Sequence, residues 1–74
     1  MSAIEDNIIN KTMEKYREII SKLNKSIVTI NCKKYNIQPY VFIGNYISKR
    51  YNVNKAEKAI LVVKVTEHFN FKFA

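Results

Sequence analysis

Residues 26–51, SIVTINCKKYNIQPYVFIGNYISKRY, are the stretch on which the reading of the fold turns. Ile27, Val28, Thr29 and Ile30 are β-branched, with no obvious helix start before them, and the run reads as a short strand over 26–31. Lys33, Lys34 and Tyr35 then read as a basic turn. Pro39 suits the first turn of a helix, where its missing N–H is not needed, so a helix is expected from Gln38 or Pro39 to Lys49 and Arg50. Tyr40-Val41-Phe42-Ile43 makes that helix apolar nearly all round, as befits burial on more than one side, and Gly44 would permit a close backbone approach.

Upstream, Met13, Tyr16, Ile19, Ile20 and Leu23 recur at spacings of three and four, which gives an amphipathic helix over about 11–24. The first ten residues stay open, because Asn7-Ile8-Ile9-Asn10 would also suit a short strand. Downstream, residues 52–58 read as a polar connector in which Asn54 and Glu57 have the spacing of a capping box. From Leu61 the apolar residues alternate through Val63, Val65, Phe69, Phe71 and Phe73, with only Glu67 out of step. A period of two predicts one long strand or two strands hinged near 66–68, and argues against a long helix. The expected architecture is a single α+β domain over 1–74, a two-layer βαβαβ(β) sandwich.

Charge is unevenly spread. Residues 1–24 set Glu5, Asp6, Glu14 and Glu18 against Lys11, Lys15, Arg17 and Lys22, whereas residues 25–74 oppose Glu57 and Glu67 with the remaining cations and carry the whole net charge of +7. A basic half of this kind fits a polyanion-binding surface, since each neutralised phosphate releases condensed counterions. The alternative is a solvated lysine surface that keeps a small protein soluble. With lysine predominating over arginine, contacts to the backbone are expected over reading of bases.

Little points to catalysis. His68 reads as an exposed strand histidine, and a thiolate pair between Cys32 and His68 has no local motif behind it. Paired metal-ligand spacings are absent, and one glycine cannot build a phosphate loop, so neither metal, cofactor nor enzymatic activity is expected. The lone cysteine and the lack of a signal-peptide pattern lead to an intracellular expectation, with no membrane association.

Over residues 27–51 the sequence resembles the Alba family of archaeal chromatin proteins. That family has a strand of the Ile-Val-Ile-Lys type, a basic Arg-Gly-Arg turn and a helix patterned Ala-Ile-Ser-Lys-Ala-Val with a basic-aromatic ending. Ile27-Val28-Thr29-Ile30 stands for the strand, Cys32-Lys33-Lys34-Tyr35 for the turn, Ile37 and Val41 for the apolar helix positions, and Ile47, Arg50 and Tyr51 for the ending. The segment from Met13 and Tyr16 to Leu23-Asn24 is similar to the family's first helix.

The resemblance implies a βαβαββ homodimer, cytoplasmic and nucleoid-associated, that binds double-stranded DNA or RNA with little sequence preference. Lys33 takes the place of a contacting arginine, Tyr35 replaces a second, and Lys11 stands where the loop before the first helix is basic. Lys34 occupies the position of the turn's glycine, and the final hairpin is much shorter than the family's. Together with the basic residues of the connections, the expected nucleic-acid site is Lys11, Lys33, Lys34, Tyr35, Lys49, Arg50, Lys55 and Lys58.

Two other readings compete. Tyr46-Ile47-Ser48-Lys49-Arg50-Tyr51-Asn52-Val53 resembles the first helix and turn of winged helix-turn-helix regulators, but the position five residues after Val53, where an apolar residue should point inward, is Lys58. The other is a dimeric interaction protein, such as a viral or plasmid accessory factor, that binds no nucleic acid.

Overall fold

The computed structural model describes residues 3–72, with side chains from residue 9 onward. The described residues form helices α1 (Ala3–Lys22), α2 (Lys25–Tyr35), α3 (Pro39–Arg50) and α4 (Lys55–His68), and no strand. The expected α+β sandwich is therefore corrected to an all-helical fold, and the Alba-like architecture falls with it. A winged helix also fails, because no strand among the described residues could form its wing.

The segment 26–31 is helical because Asn24 caps it. The Asn24 side chain accepts a hydrogen bond from the Ile27 N–H at 2.8 Å, satisfying one of the donors left open at a helix start. The cap, and not the β-branched run after it, decides the local structure. Once the helix starts, Val28 is fully buried and Cys32, one turn on, packs against the core, while Ile30 stays 64% exposed. The helix continues through the supposed turn: Lys33, Lys34 and Tyr35 are its last turn. The chain reverses at Asn36, whose φ of 53° is left-handed, and the Ile37 N–H returns to the Cys32 carbonyl at 3.1 Å.

The same devices bound α4. Asn54 accepts from the Glu57 N–H at 2.8 Å, as the capping-box spacing suggested, but the helix then runs through the residues expected to be strand. Leu61 and Val65 are completely buried and Val62 is partly so, whereas Val63, which a period of two places with Leu61 and Val65, is 42% exposed. Asn70 repeats the left-handed stop, with a φ of 60°, and the Phe71 N–H reaches the Thr66 carbonyl at 3.1 Å. Phe71 thereby packs against the core rather than extending a strand, and Phe73 lies outside the described residues. The β-branched residues cost the helices a few tenths of a kcal/mol each in propensity, against about 1.5–3 kcal/mol for each large apolar side chain fully buried. Burial decides.

Two other expectations need adjustment and one stands. α1 begins well before residue 11 and includes Asn7–Asn10, so the alternative strand there is excluded. α3 begins with Pro39 in its first turn and ends at Arg50, as read from the sequence. Lys58, the residue that spoiled a second helix in the sequence reading, does not break α4. Its stem crosses Gly44 of α3, where an added Cβ would meet Lys58 Cε at 3.4 Å and Val62 Cγ2 at 3.7 Å. A long lysine stem can cover apolar surface in this way.

α4 lies between α1 and α3, and α2 packs on the other side of α3. Ile19 and Leu23 at the end of α1, Val28, Ile43, Ile47, Leu61 and Val65 form one core that all the helices share. Thr66 is also fully buried, and its Oγ1 has no hydrogen-bond partner among the described residues. An unsatisfied buried hydroxyl costs about 1–3 kcal/mol. Thr66→Val, which keeps the shape and removes the hydroxyl, should therefore raise the unfolding free energy by about 1 kcal/mol or more in urea titrations.

Candidate nucleic-acid interface

Six of the eight expected site residues divide among three grooves, and Lys33 and Lys34 line none of the three. Between α2 and α3 runs a groove of about 690 Å³ with Leu23, Ile27, Ile37 and Phe42 as its apolar lining and Asn31, Tyr35, Asn45, Tyr46, Lys49 and Arg50 as its polar and aromatic part. Three predicted residues, Tyr35, Lys49 and Arg50, thus come together. Lys33 and Lys34 stand on the last turn of α2 beside Tyr35, and the Lys34 ammonium lies 5.3 Å from the Tyr35 ring centroid. Arg50 lies 4.0 Å from the Tyr46 centroid, a cation–π contact between residues one helical turn apart.

Lys55 and Lys58 face a second groove, of about 440 Å³ between α3 and α4, with Tyr40, Gly44, Ala59 and Val63. Asn45 lines both grooves and marks the ridge of α3 between them. Lys11 belongs to neither. It lies in the groove between α1 and α4 with Thr12, Lys15 and Glu57.

The electrostatics separate these places. Glu57 is held on α1, accepting from the Thr12 hydroxyl at 2.8 Å and from Lys15 Nζ at 3.0 Å. Burial works against its charge, but these hydrogen bonds, with the positive charges of Lys15 and Lys11, prevail and hold its carboxyl below the usual range. Glu18 accepts from the Tyr51 hydroxyl at 2.7 Å and from Lys22 at 3.3 Å. The Tyr51 bond is the main cause of its lowered pKa; burial and then this bond push the Tyr51 hydroxyl up to about 12.

The segment that forms α2 and α3 has no such acid of its own. Residues 25–56 contain Lys25, Lys33, Lys34, Lys49, Arg50 and Lys55 and not one Asp or Glu. Among the described residues, Lys33, Lys34, Lys49 and Arg50 are exposed and make no ion pair. Their charge is available to a ligand. Lys33–Lys34 and Lys49–Arg50 also sit in the last turns of α2 and α3, where a cation complements the helix macrodipole.

Sequence reasoning missed Asn31, Asn45 and Tyr46 as groove residues. The signal for Tyr46 was present: on a helix already assigned to 39–50, Tyr46 and Arg50 are one turn apart and must meet. Cys32 and His68 serve other ends. Burial raises the Cys32 thiol pKa, which opposes a thiolate, while His68 Nδ1 shares a hydrogen bond of 3.2 Å with the Tyr16 hydroxyl and its ring meets Phe69 edge-on.

No group of three or more potential metal ligands occurs among the described residues, and none of the described helices is long and apolar enough to cross a membrane. Comparison with known proteins finds no matching family model, curated sequence or solved structure.

The Glu57 clamp makes acid stability testable. Because the folded protein keeps Glu57 ionised to lower pH than the unfolded chain does, its contribution is complete above the ordinary carboxylate range and disappears as the pH falls through the lowered value. In Glu57→Gln that part of the decline should be absent. Urea midpoints of the two proteins, measured between about pH 6 and pH 3, should differ at the upper end and converge at the lower.

Proposed function

We propose that the protein binds nucleic acid through backbone phosphates, with little sequence preference, by the face that α2 and α3 share. The observation that carries this reading is the coincidence of charge and shape there. Lys33, Lys34, Lys49 and Arg50 are exposed, without ion pairs among the described residues, and belong to a segment with no acidic residue. Lys49 and Arg50 line the groove of about 690 Å³ between α2 and α3 together with Tyr35 and Tyr46.

The residue types favour positioning over reading. Lysine meets a phosphate as a point charge, while bidentate recognition of a base edge falls to arginine, asparagine or glutamine. Arg50 lies over the Tyr46 ring and makes no ion pair among the described residues, so its N–H donors can turn to phosphate. Tyr35, 60% exposed, is placed to lie against a sugar or an unpaired base. Of the wider set read from the sequence, Lys11 is left out of this face, since it stands with Glu57 in another groove.

Fluorescence titration of random-sequence duplex and single strands across a salt series tests the reading. Four phosphate contacts on duplex give a slope of log K against log salt of about −3.6. The double substitutions Lys33→Ala with Lys34→Ala, and Lys49→Ala with Arg50→Ala, should each remove about two units of slope and weaken binding uniformly across sequences. Lys11→Ala should leave the slope unchanged. Salt-independent binding, or equal effects of all three changes, overturns the assignment.

A further inference from the structure

α4 carries an exposed row that no other helix among the described residues covers. Lys55, Ala59, Val63 and Glu67 follow one another at intervals of four residues, and all four are exposed. Rows of this spacing are the ridges that helices interdigitate when they cross at about −50°. Lys55, Ala59 and Val63 form the solvent-open α4 wall of the α3–α4 groove, and Glu67 continues the row beyond it. Around it lie Ile60, 48% exposed, and Tyr40 across the α3–α4 groove, 37% exposed.

The charges on this row are placed against the helix that bears them. Lys55 opens α4, where the macrodipole favours an anion, and Glu67 stands in its last turn, where a cation is favoured. Within one chain the two residues are separated by about 18 Å of helix, far beyond the reach of an ion pair. An antiparallel copy of α4 reverses the situation.

We propose that the protein forms a two-fold symmetric dimer through this row, with α4 antiparallel to α4 of a second copy and the axis passing near Leu61. That symmetry sets Lys55 against the partner's Glu67, and Glu67 against the partner's Lys55. Ala59 then faces the partner's Val63, so that a small residue receives a larger one on both sides of the axis. Each carboxylate also comes to the N-terminal end of the partner helix, where the dipole stabilises it. The same operation relates Lys58 to the partner's Lys64, but both are turned out of the ridge. The Lys58 stem lies over Gly44, and Lys64 Nζ lies 6.0 Å from the Tyr16 centroid. A second copy is the occupant that this self-complementary pattern selects, because an isologous contact requires each patch to match its own inverse. A domain of this size, which buries only about 60% of its unfolded surface, also gains from association.

Sedimentation equilibrium of the full chain at roughly 100 μM should report a dimer in mass-action exchange with monomer. Glu67→Lys, or Lys55→Glu, replaces both pairs with like charges and should weaken dimerisation about tenfold or more. The double variant Lys55→Glu with Glu67→Lys restores both pairs with exchanged signs and should recover most of the affinity. Since these residues cannot meet within one chain, the recovery reports a contact between chains. Circular dichroism of each variant should retain the helical signal, as all substituted positions are exposed. A monomeric wild-type protein overturns the proposal, as does a dimer indifferent to the single reversals or a double variant no tighter than either single one. The inference is independent of nucleic-acid binding, since neither Lys55 nor Glu67 belongs to the α2–α3 face.

Discussion

Burial of Leu61 and Val65 between α1 and α3 is the packing on which the other elements depend. α4 is the helix through which α1 meets the rest of the core, and α2 reaches that core by way of α3. In a domain this small each such contact is a large share of the total, since a net stability of about 5–15 kcal/mol is what remains after burial is set against chain entropy. Were α4 to extend as a strand, its inward side would lose the i, i+4 pairing of Leu61 with Val65, and the sheet partners it would need are themselves helices. The all-helical state agrees with this packing: α2 and α4 each start on a capping asparagine and stop at a left-handed one, and the buried apolar side chains form one core.

The helix ends were legible in one residue type. With a single glycine and a single proline to punctuate it, the chain uses asparagine. Asn24 and Asn54 accept hydrogen bonds from backbone N–H groups at helix starts, and Asn36 and Asn70 take the left-handed conformation after helix ends. Asparagine suits both tasks, because its short side chain bonds to nearby backbone and tolerates a positive φ. Asn54 was recognised from its spacing to Glu57. Asn24 was not, and the β-branched run behind it was then read by propensity alone. The alternation from Leu61 misled for a different reason: a row of apolar residues at 61, 63 and 65 satisfies a period of two, while 61, 62 and 65 satisfy a helical face equally well. Helix α3, with Pro39 at one end and Lys49–Arg50 at the other, was recoverable in full.

The site was legible as composition and not as geometry. The excess of positive charge beyond residue 24 is visible in the sequence, and it remains in the fold as exposed cations at the ends of α2 and α3, elements with no acidic residue of their own. Which basic residues are neighbours is a property of packing. Tyr35, Lys49 and Arg50 share a groove because α2 lies against α3, whereas Lys11, for all its similarity in composition, is drawn to Glu57 across the α1–α4 seam. Proximity in the sequence could not separate these cases.

Segregating the charges has an energetic consequence that links fold to function. Two unit charges about 10 Å apart in water repel by about 0.4 kcal/mol, and salt reduces this further. Several such pairs on the α2–α3 face oppose folding by an amount that a domain with a net stability of several kcal/mol can tolerate but does not escape. Glu18 and Glu57 could have relieved it, yet both are committed to contacts that fasten α1 to the Tyr51 loop and to α4. The acids thus help to hold the bundle together, and the exposed cations of α2 and α3 are left to repel one another. A phosphate backbone on that face would supply the missing counter-charge without disturbing a single contact of the core.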